Sequence, residues 1–495
     1  MSGSYPDGLA LGAQVAAGER SAVELLHDTL ARAEAIDPAI RAIRSMNRDA
    51  ALRAAQAIDR TVAALGTDRD ARRRLNRERP FLGVPLLLKD LSVAAVDLPS
   101  TRGSRFFGRI EWKLDSEFVV RLRNAGFVPF GRSTVPELGI SPSTEAVANG
   151  APTRNPWHRE HTPGGSSGGA AAAVAAGISP LAHASDGAGS IRIPASCCGL
   201  VGLKPSRGLI PSGPLAGEGW AGMATEGVVS WTVRDTAAAL DATAGADLGA
   251  PYAAPVQPPS SYVDAMRDER PRRIAMLDRT FDGAPIDAEV AAVVGEAARL
   301  LETLGHAVEP AGPAVSTRAV LEPVVDVMAA WTAAAIEARA RELGRGPQPD
   351  ELEPTTAGAL AHGRSLSALS YVDRIARMHQ IGRSVAGFFQ RFDVLLTPVL
   401  AEPPARLGRF AMSNPDFVDY RMGPGKLGDY SPFAPLANVC GLPAISIPFG
   451  QSAAGLPIGV QLVAAFGQDA LLLALASRIE AARPWIDRRP VLATG

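Results

Sequence analysis

The stretch that most constrains this chain is residues 163–208, PGGSSGGAAAAVAAGISPLAHASDGAGSIRIPASCCGLVGLKPSRG. Two short loops crowded with glycine and serine, one around Ser166 and Ser167 and one around Ser190, flank an alanine-rich run, 170–176. Such a run is a strong helix former. Glycines ahead of a helix leave backbone N–H groups free to point at a negative charge. With Asp186 and Arg192 flanking the second loop, the pattern has the makings of a nucleophile beside an oxyanion-binding nest.

Composition narrows what such a chain can be. It has 495 residues, 46% of them hydrophobic, and a net charge of −1, which argues against a basic nucleic-acid binder. Three cysteines (Cys197, Cys198, Cys440) cannot make a disulfide framework, so a reducing compartment is expected, with Cys197 and Cys198 as packed core thiols. The first residues, MSGSYPDGLALGAQ, do not read as a signal peptide, and no run of about 18 apolar residues stands out as a membrane span. The expectation is a cytoplasmic protein. Lysine is scarce: Lys89, Lys113, Lys204 and Lys426 are the four among 50 basic residues. Where an arginine-rich chain keeps lysine, a job that arginine cannot do becomes a reasonable expectation, and the obvious one is to sit deprotonated and accept a proton.

Along the chain, Ser21 and Glu24 form a capping box that opens a helix over 22–36, and a second helix follows over 49–65. The arginine-rich segment 68–80, interleaved with Asp70 and Glu78, reads as a solvated helix or loop. FLGVPLLLKD reads as a buried strand ending at Lys89 and Asp90, where a lysine needs an ion pair or a function. A helix over 115–126 and a strand over 127–133 continue an αβ alternation, the pattern of a sheet covered by helices. Residues 134–162 are loop-like; their HREH pair, His158 and His161, lacks a third ligand at a recognised spacing. Farther on come helices over 233–246 and 287–304, strands over 272–278 and 306–310, and a mostly helical region, 318–391, broken at 344–354. A strand over 392–400, a long loop over 401–437, two adjacent buried strands over 437–450 and 455–466, and a last helix over 469–482 complete the chain.

Gly165–Ser166–Ser167–Gly168–Gly169 satisfies G-x-S-x-G, but a nucleophile elbow follows an apolar strand, and here the polar run RNPWHREHTP precedes it. No acid and histidine with supporting patterns follow, and no GK[ST] completes a phosphate loop. Lys89 offers another chemistry. A neutral lysine can activate a serine, directly or through a second serine, provided burial or positive potential lowers its pKa. Serine plus lysine then suffices for acyl transfer.

GGSSGG, DGAGSIRIPA, CGLVGLKPSRG, the upstream GVPLLLKD and the downstream GLPAISIPFG and GLPIGVQLV together resemble the amidase signature family, from about residue 8 to 490. The resemblance implies one α/β domain over 8–490, a central mixed twisted sheet covered by helices on both sides. The core motif 163–208 and a helical substrate-side region, 318–391, lie within it. It also implies a Ser–cis-Ser–Lys triad: Ser190 as nucleophile forming an acyl-enzyme, Ser166 as the bridging serine after a cis peptide, Lys89 as general base. Backbone N–H groups of Gly187, Ala188, Gly189 and Ser190 are expected to form the oxyanion hole. Asp186 and Arg192 are assigned to holding the loop, and Ser167 either to supporting the triad by hydrogen bonding or to forming the turn.

One departure is Ala188, where the family commonly has glycine; its methyl fits if its φ is negative. This feature and the ending PWIDRRP are similar to the branch with cyclic nylon-oligomer hydrolases and urethane-cleaving amidases. A small-molecule amide or carbamate substrate of synthetic or aryl type is therefore expected, with no cofactor, metal, nucleic acid or membrane, in a monomer or homodimer. The alternative is the glutamine-hydrolysing subunit of a tRNA-dependent amidotransferase, which shares fold and triad. Substrate pockets are expected from 134–150, 318–391 and 401–437.

Overall fold

A computed structural model describes residues 6–491. Its centre is an 11-stranded mixed sheet. In chain order the strands are β1 (Ile43–Met46), β2 (Pro85–Lys89), β3 (Val128–Ser133), β4 (Leu181–Asp186), β5 (Val201–Lys204) and β6 (Thr225–Ser230). They continue with β7 (Arg273–Met276), β8 (Ala307–Pro310), β9 (Val394–Pro398), β10 (Ala444–Gln451) and β11 (Pro457–Ala464). The spatial order is β1-β3-β2-β4-β6-β5-β10-β11-β9-β7-β8. Helices flank this sheet, and the fold is α/β, as the resemblance implied.

β2 runs parallel to β3 and β4, and every one of its residues is buried. A strand covered on both faces needs a continuous apolar run, which explains PLLL, and proline is tolerated at its first position. β4, β5 and β6 went unread in the sequence. They are four to six residues long: LAHASD carries no β-branched residue, and VGLK and TEGVVS are too short and too interrupted by glycine for alternation to mark them. β1 was likewise missed. The capping box at Ser21 and Glu24 is present, and the helix it opens runs Ala22–Ile40, past Pro38. Residues 69–78 are a solvent-facing helix with no buried residue.

The helical region between β8 and β9 consists of Thr317–Leu343, Pro354–Ser365 and Ala368–Phe388, broken after a left-handed Gly344. The first of these corrects an expectation. It is long and apolar enough to cross a membrane, with a mean hydropathy of 1.5 over its apolar window, yet 67% of that window is buried inside the protein. Its Val324, Met328 and Ile336 pack into a second apolar cluster with Phe392 and Tyr430.

Candidate active site

The sheet brings the two serine loops together at the C-terminal end of β2. Lys89, the last residue of β2, is fully buried, and its Nζ lies 2.8 Å from Ser166 Oγ, 2.9 Å from Ser185 Oγ and 3.3 Å from the Ser185 carbonyl. Burial lowers its pKa to about 7, against the opposing pull of Glu226 and Asp186. The three partners suit a neutral amine. Its two N–H bonds can go to the Ser185 carbonyl and hydroxyl, and its lone pair can accept from the Ser166 hydroxyl.

Two further side chains set the end of β2. The Lys89 backbone N–H donates to His183 Nδ1 at 3.0 Å, and the Lys89 carbonyl accepts from the buried Arg132 guanidinium at 2.9 Å. His183 must therefore carry its proton on Nε2, which lies 2.8 Å from Glu226 Oε2. Burial lowers the His183 pKa despite Glu226 and keeps the ring neutral. Ser92 Oγ donates to the same carboxylate oxygen at 3.0 Å. Within β4, His183 and Ser185 are two residues apart and share a face, and Glu226 of β6 stands in register with Ser185.

Ser166 follows a cis peptide after Gly165 and is buried, whereas Ser190 is half-buried. Both line one cavity of about 270 Å³. The loops are tied to each other by the Ser167 N–H donating to the Ser190 carbonyl at 3.3 Å. Ser167 Oγ also bonds across β4, to the Ser185 backbone at 3.3 Å, so Ser167 stands behind the site rather than in it.

Asp186, on the opposite face of β4 from Ser185, holds the second loop from below. It accepts the N–H groups of Gly189 at 2.7 Å and Ile191 at 3.1 Å, and the Arg192 guanidinium at 2.9 and 3.0 Å. Burial by itself would raise the Asp186 pKa; Arg192 and the amide of Asn438 outweigh it and hold the carboxyl far below the usual range. Arg192 also donates to Gln461 at 2.6 Å, Asn438 at 2.6 Å and the Ala434 carbonyl at 2.8 Å, so the network reaches β11 and the helix Ala434–Cys440.

This geometry corrects one member of the expected oxyanion hole. The Gly189 N–H, expected among its donors, is instead engaged by Asp186, with Gly189 in a left-handed conformation (φ 116°). Ala188 is not among the residues with positive φ, so its methyl is accommodated. A Cβ on Gly187 would lie 2.5 Å from the Trp220 ring, so any larger residue there requires that ring to move.

The cavity wall differs from expectation as well. Leu138 and Gly139 come from 134–150, and Trp331, Thr332 and Ala335 from the helical region, but no lining residue comes from 401–437. That segment instead supports the site through the Ala434 carbonyl, which accepts from Arg192. The remaining wall is built by residues 91–102 and 211–226 with Ser116 and Phe118, which sequence reasoning missed. Among the described residues no three His, Cys, Asp or Glu side chains are placed to hold a metal ion.

Residues 24–473 match the Amidase family. The chain belongs to that family. Among curated relatives, a 6-aminohexanoate-cyclic-dimer hydrolase from Paenarthrobacter ureafaciens is 35% identical over 498 residues, covering 99% of this chain and 97% of that protein. A solved structure of 6-aminohexanoate cyclic dimer hydrolase with substrate superposes with a TM-score of 0.87 at 33% identity, covering 99% of both chains. A bacterial aryl acylamidase of the amidase signature family gives 0.86 at 26% identity, also over 99% of both. A glutamyl-tRNA(Gln) amidotransferase chain from Thermotoga maritima is more distant, at 0.71 and 27% identity over 98% of this chain and 97% of that one. The protein is thus an amidase-family hydrolase of amide C–N bonds other than peptide bonds.

Proposed function

We propose that Ser190 is the nucleophile, Ser166 the proton relay and Lys89 the base. Ser190 Oγ attacks the amide carbonyl carbon while its proton passes to Ser166, whose own proton passes to Lys89. The C–N bond then breaks, the proton returns by the same relay to the leaving amine, and the acyl group stays on Ser190 as an ester. Water attacks that ester, gives its proton to the relay and releases the acid, regenerating the serine. The N–H groups of Gly187, Ala188 and Ser190 hold the developing oxyanion, and losing one such donor typically costs about 100- to 1000-fold in rate.

The observation that carries this reading is a buried lysine with its pKa brought to about 7, 2.8 Å from a serine hydroxyl that shares a cavity with a second, accessible serine. The substrate class proposed is a small secondary amide with apolar or aryl substituents, extending to carbamates. The largely apolar wall around Leu91, Leu138, Trp220 and Trp331 supports it, as do the cyclic-dimer hydrolase and aryl acylamidase neighbours. The free thiols at Cys197, Cys198 and Cys440 fit a reducing, cytoplasmic setting.

Release of amine from an anilide, an aryl carbamate, a linear aliphatic amide and glutamine tests the proposal with the purified protein alone. Cleavage of the anilide or the carbamate is expected, reduced about a thousandfold or more in Ser190→Ala. Retained activity in Ser190→Ala would sink the mechanism, and cleavage of glutamine alone would point to amidotransferase chemistry.

A further inference from the structure

One charged side chain in the cavity has no counterpart. Arg102 lines the same cavity as Ser166 and Ser190, and among the described residues its guanidinium has no hydrogen-bond or ion-pair partner. It rests on the face of Phe107, 5.0 Å from the guanidinium carbon to the ring centroid. Burial lowers its pKa, with Glu342 opposing. Glu342 is mostly exposed and already pairs with Arg339 at 2.9 Å. The two carboxylates lining the cavity are engaged too, Glu218 by the Tyr252 hydroxyl and Glu226 by His183 and Ser92. A partly desolvated guanidinium without a partner is unfavourable unless water or a ligand supplies one.

The backbone presents this arginine rigidly. Arg102 (φ 55°) and Gly103 (φ 64°) form a left-handed turn, a conformation few non-glycine residues adopt. The turn is fastened by the Thr101 N–H, which donates to Asp90 Oδ1 at 2.8 Å, by the Thr101 hydroxyl on the same carboxylate, and by the Leu138 N–H on the Arg102 carbonyl at 2.9 Å. Asp90 directly follows Lys89. The arginine and the proposed base thus hang from consecutive residues of one strand end, while Phe107 covers one face of the guanidinium and leaves its N–H edges for a planar acceptor.

We propose that Arg102 is a specificity-determining subsite for a carboxylate on the substrate, so that the preferred substrates are secondary amides whose acyl or amine fragment ends in an acid. The proposal rests on the amidase reading above for turnover, but not for binding.

The test uses two pairs that differ in charge: 4-acetamidobenzoate against 4-acetamidobenzamide, and glutaranilate against its primary carboxamide, with release of the aromatic amine as the readout. In one pair the acid is expected to exceed the neutral partner by about 10-fold or more in kcat/KM. That ratio should fall to about one in Arg102→Met and be partly kept in Arg102→Lys. No preference for either acid, or a ratio unchanged in Arg102→Met, would overturn the subsite.

Calorimetric binding of the same four compounds to Ser190→Ala separates the two readings. Tighter binding of the acid, lost in the Ser190→Ala/Arg102→Met double variant, supports the subsite even if the turnover scheme fails. Equal affinity for acid and neutral partner in Ser190→Ala refutes it even if the scheme holds.

Discussion

At the scale of single residues, the site turns on how far Lys89 can be kept neutral. Burial is the main cause of its lowered pKa, and Glu226 works against it. A carboxylate so placed favours the protonated amine, so removing its charge should lower the lysine pKa further. In Glu226→Gln the amide oxygen can still accept from His183 Nε2, so the geometry is kept while the charge goes. The wild-type kcat/KM should fall as pH drops through about 7, where the lysine gains its proton. In Glu226→Gln that acidic limb should move to lower pH, by about one unit or less. A pH–rate profile checks this, and a limb that stays put or moves upward would contradict the electrostatic account.

At the scale of elements, β4 works through its two faces. One presents His183 and Ser185 to Lys89; the other sends Asp186 into the network that braces the Ser190 loop. A fully buried ion pair contributes little compared with an apolar substitute, but removing one partner strands the other charge and costs about 3–5 kcal/mol. Asp186→Asn should therefore lower the melting temperature. It should also reduce kcat more than it raises KM, because the carboxylate also fixes the Gly189 and Ile191 N–H groups on either side of Ser190, the proposed nucleophile. Thermal melts and steady-state kinetics check both effects. Ser185 and His183 were legible only to a reader who had recognised LAHASD as a strand, since period-two spacing then puts them on one face.

At the scale of the whole molecule, the helices between β8 and β9 close the cavity from a distance. Asp326 joins all three: it lies on Thr317–Leu343, 2.7 Å from His362 of the second helix and 2.6 Å from Arg374 of the third. The same first helix carries Trp331, Thr332 and Ala335 into the cavity wall, with Trp331 donating to the Tyr371 hydroxyl at 3.1 Å. Asp326→Ala is expected to cost about 2–3 kcal/mol. It should raise KM with a smaller change in kcat, as measured by melting and by kinetics on an anilide. The family resemblance, rather than any local pattern, assigned roles to Lys89, Ser166 and Ser190; the sequence by itself determined the αβ alternation and the long helices and marked the glycine-serine loops. It could do so because helix periodicity, caps and glycine-serine loops are local patterns that act over a few residues. Only the tertiary structure decided which strand lies beside β2, and hence that His183, 94 positions away, meets Lys89, or that Ser92 meets Glu226 across 134. It likewise decided that Gly189 turns inward to Asp186 and that residues 91–102 and 211–226 wall the cavity. Those contacts follow from the order of strands in a sheet whose central members β4, β5 and β6, four to six residues long, are too short to carry a periodic signal of their own.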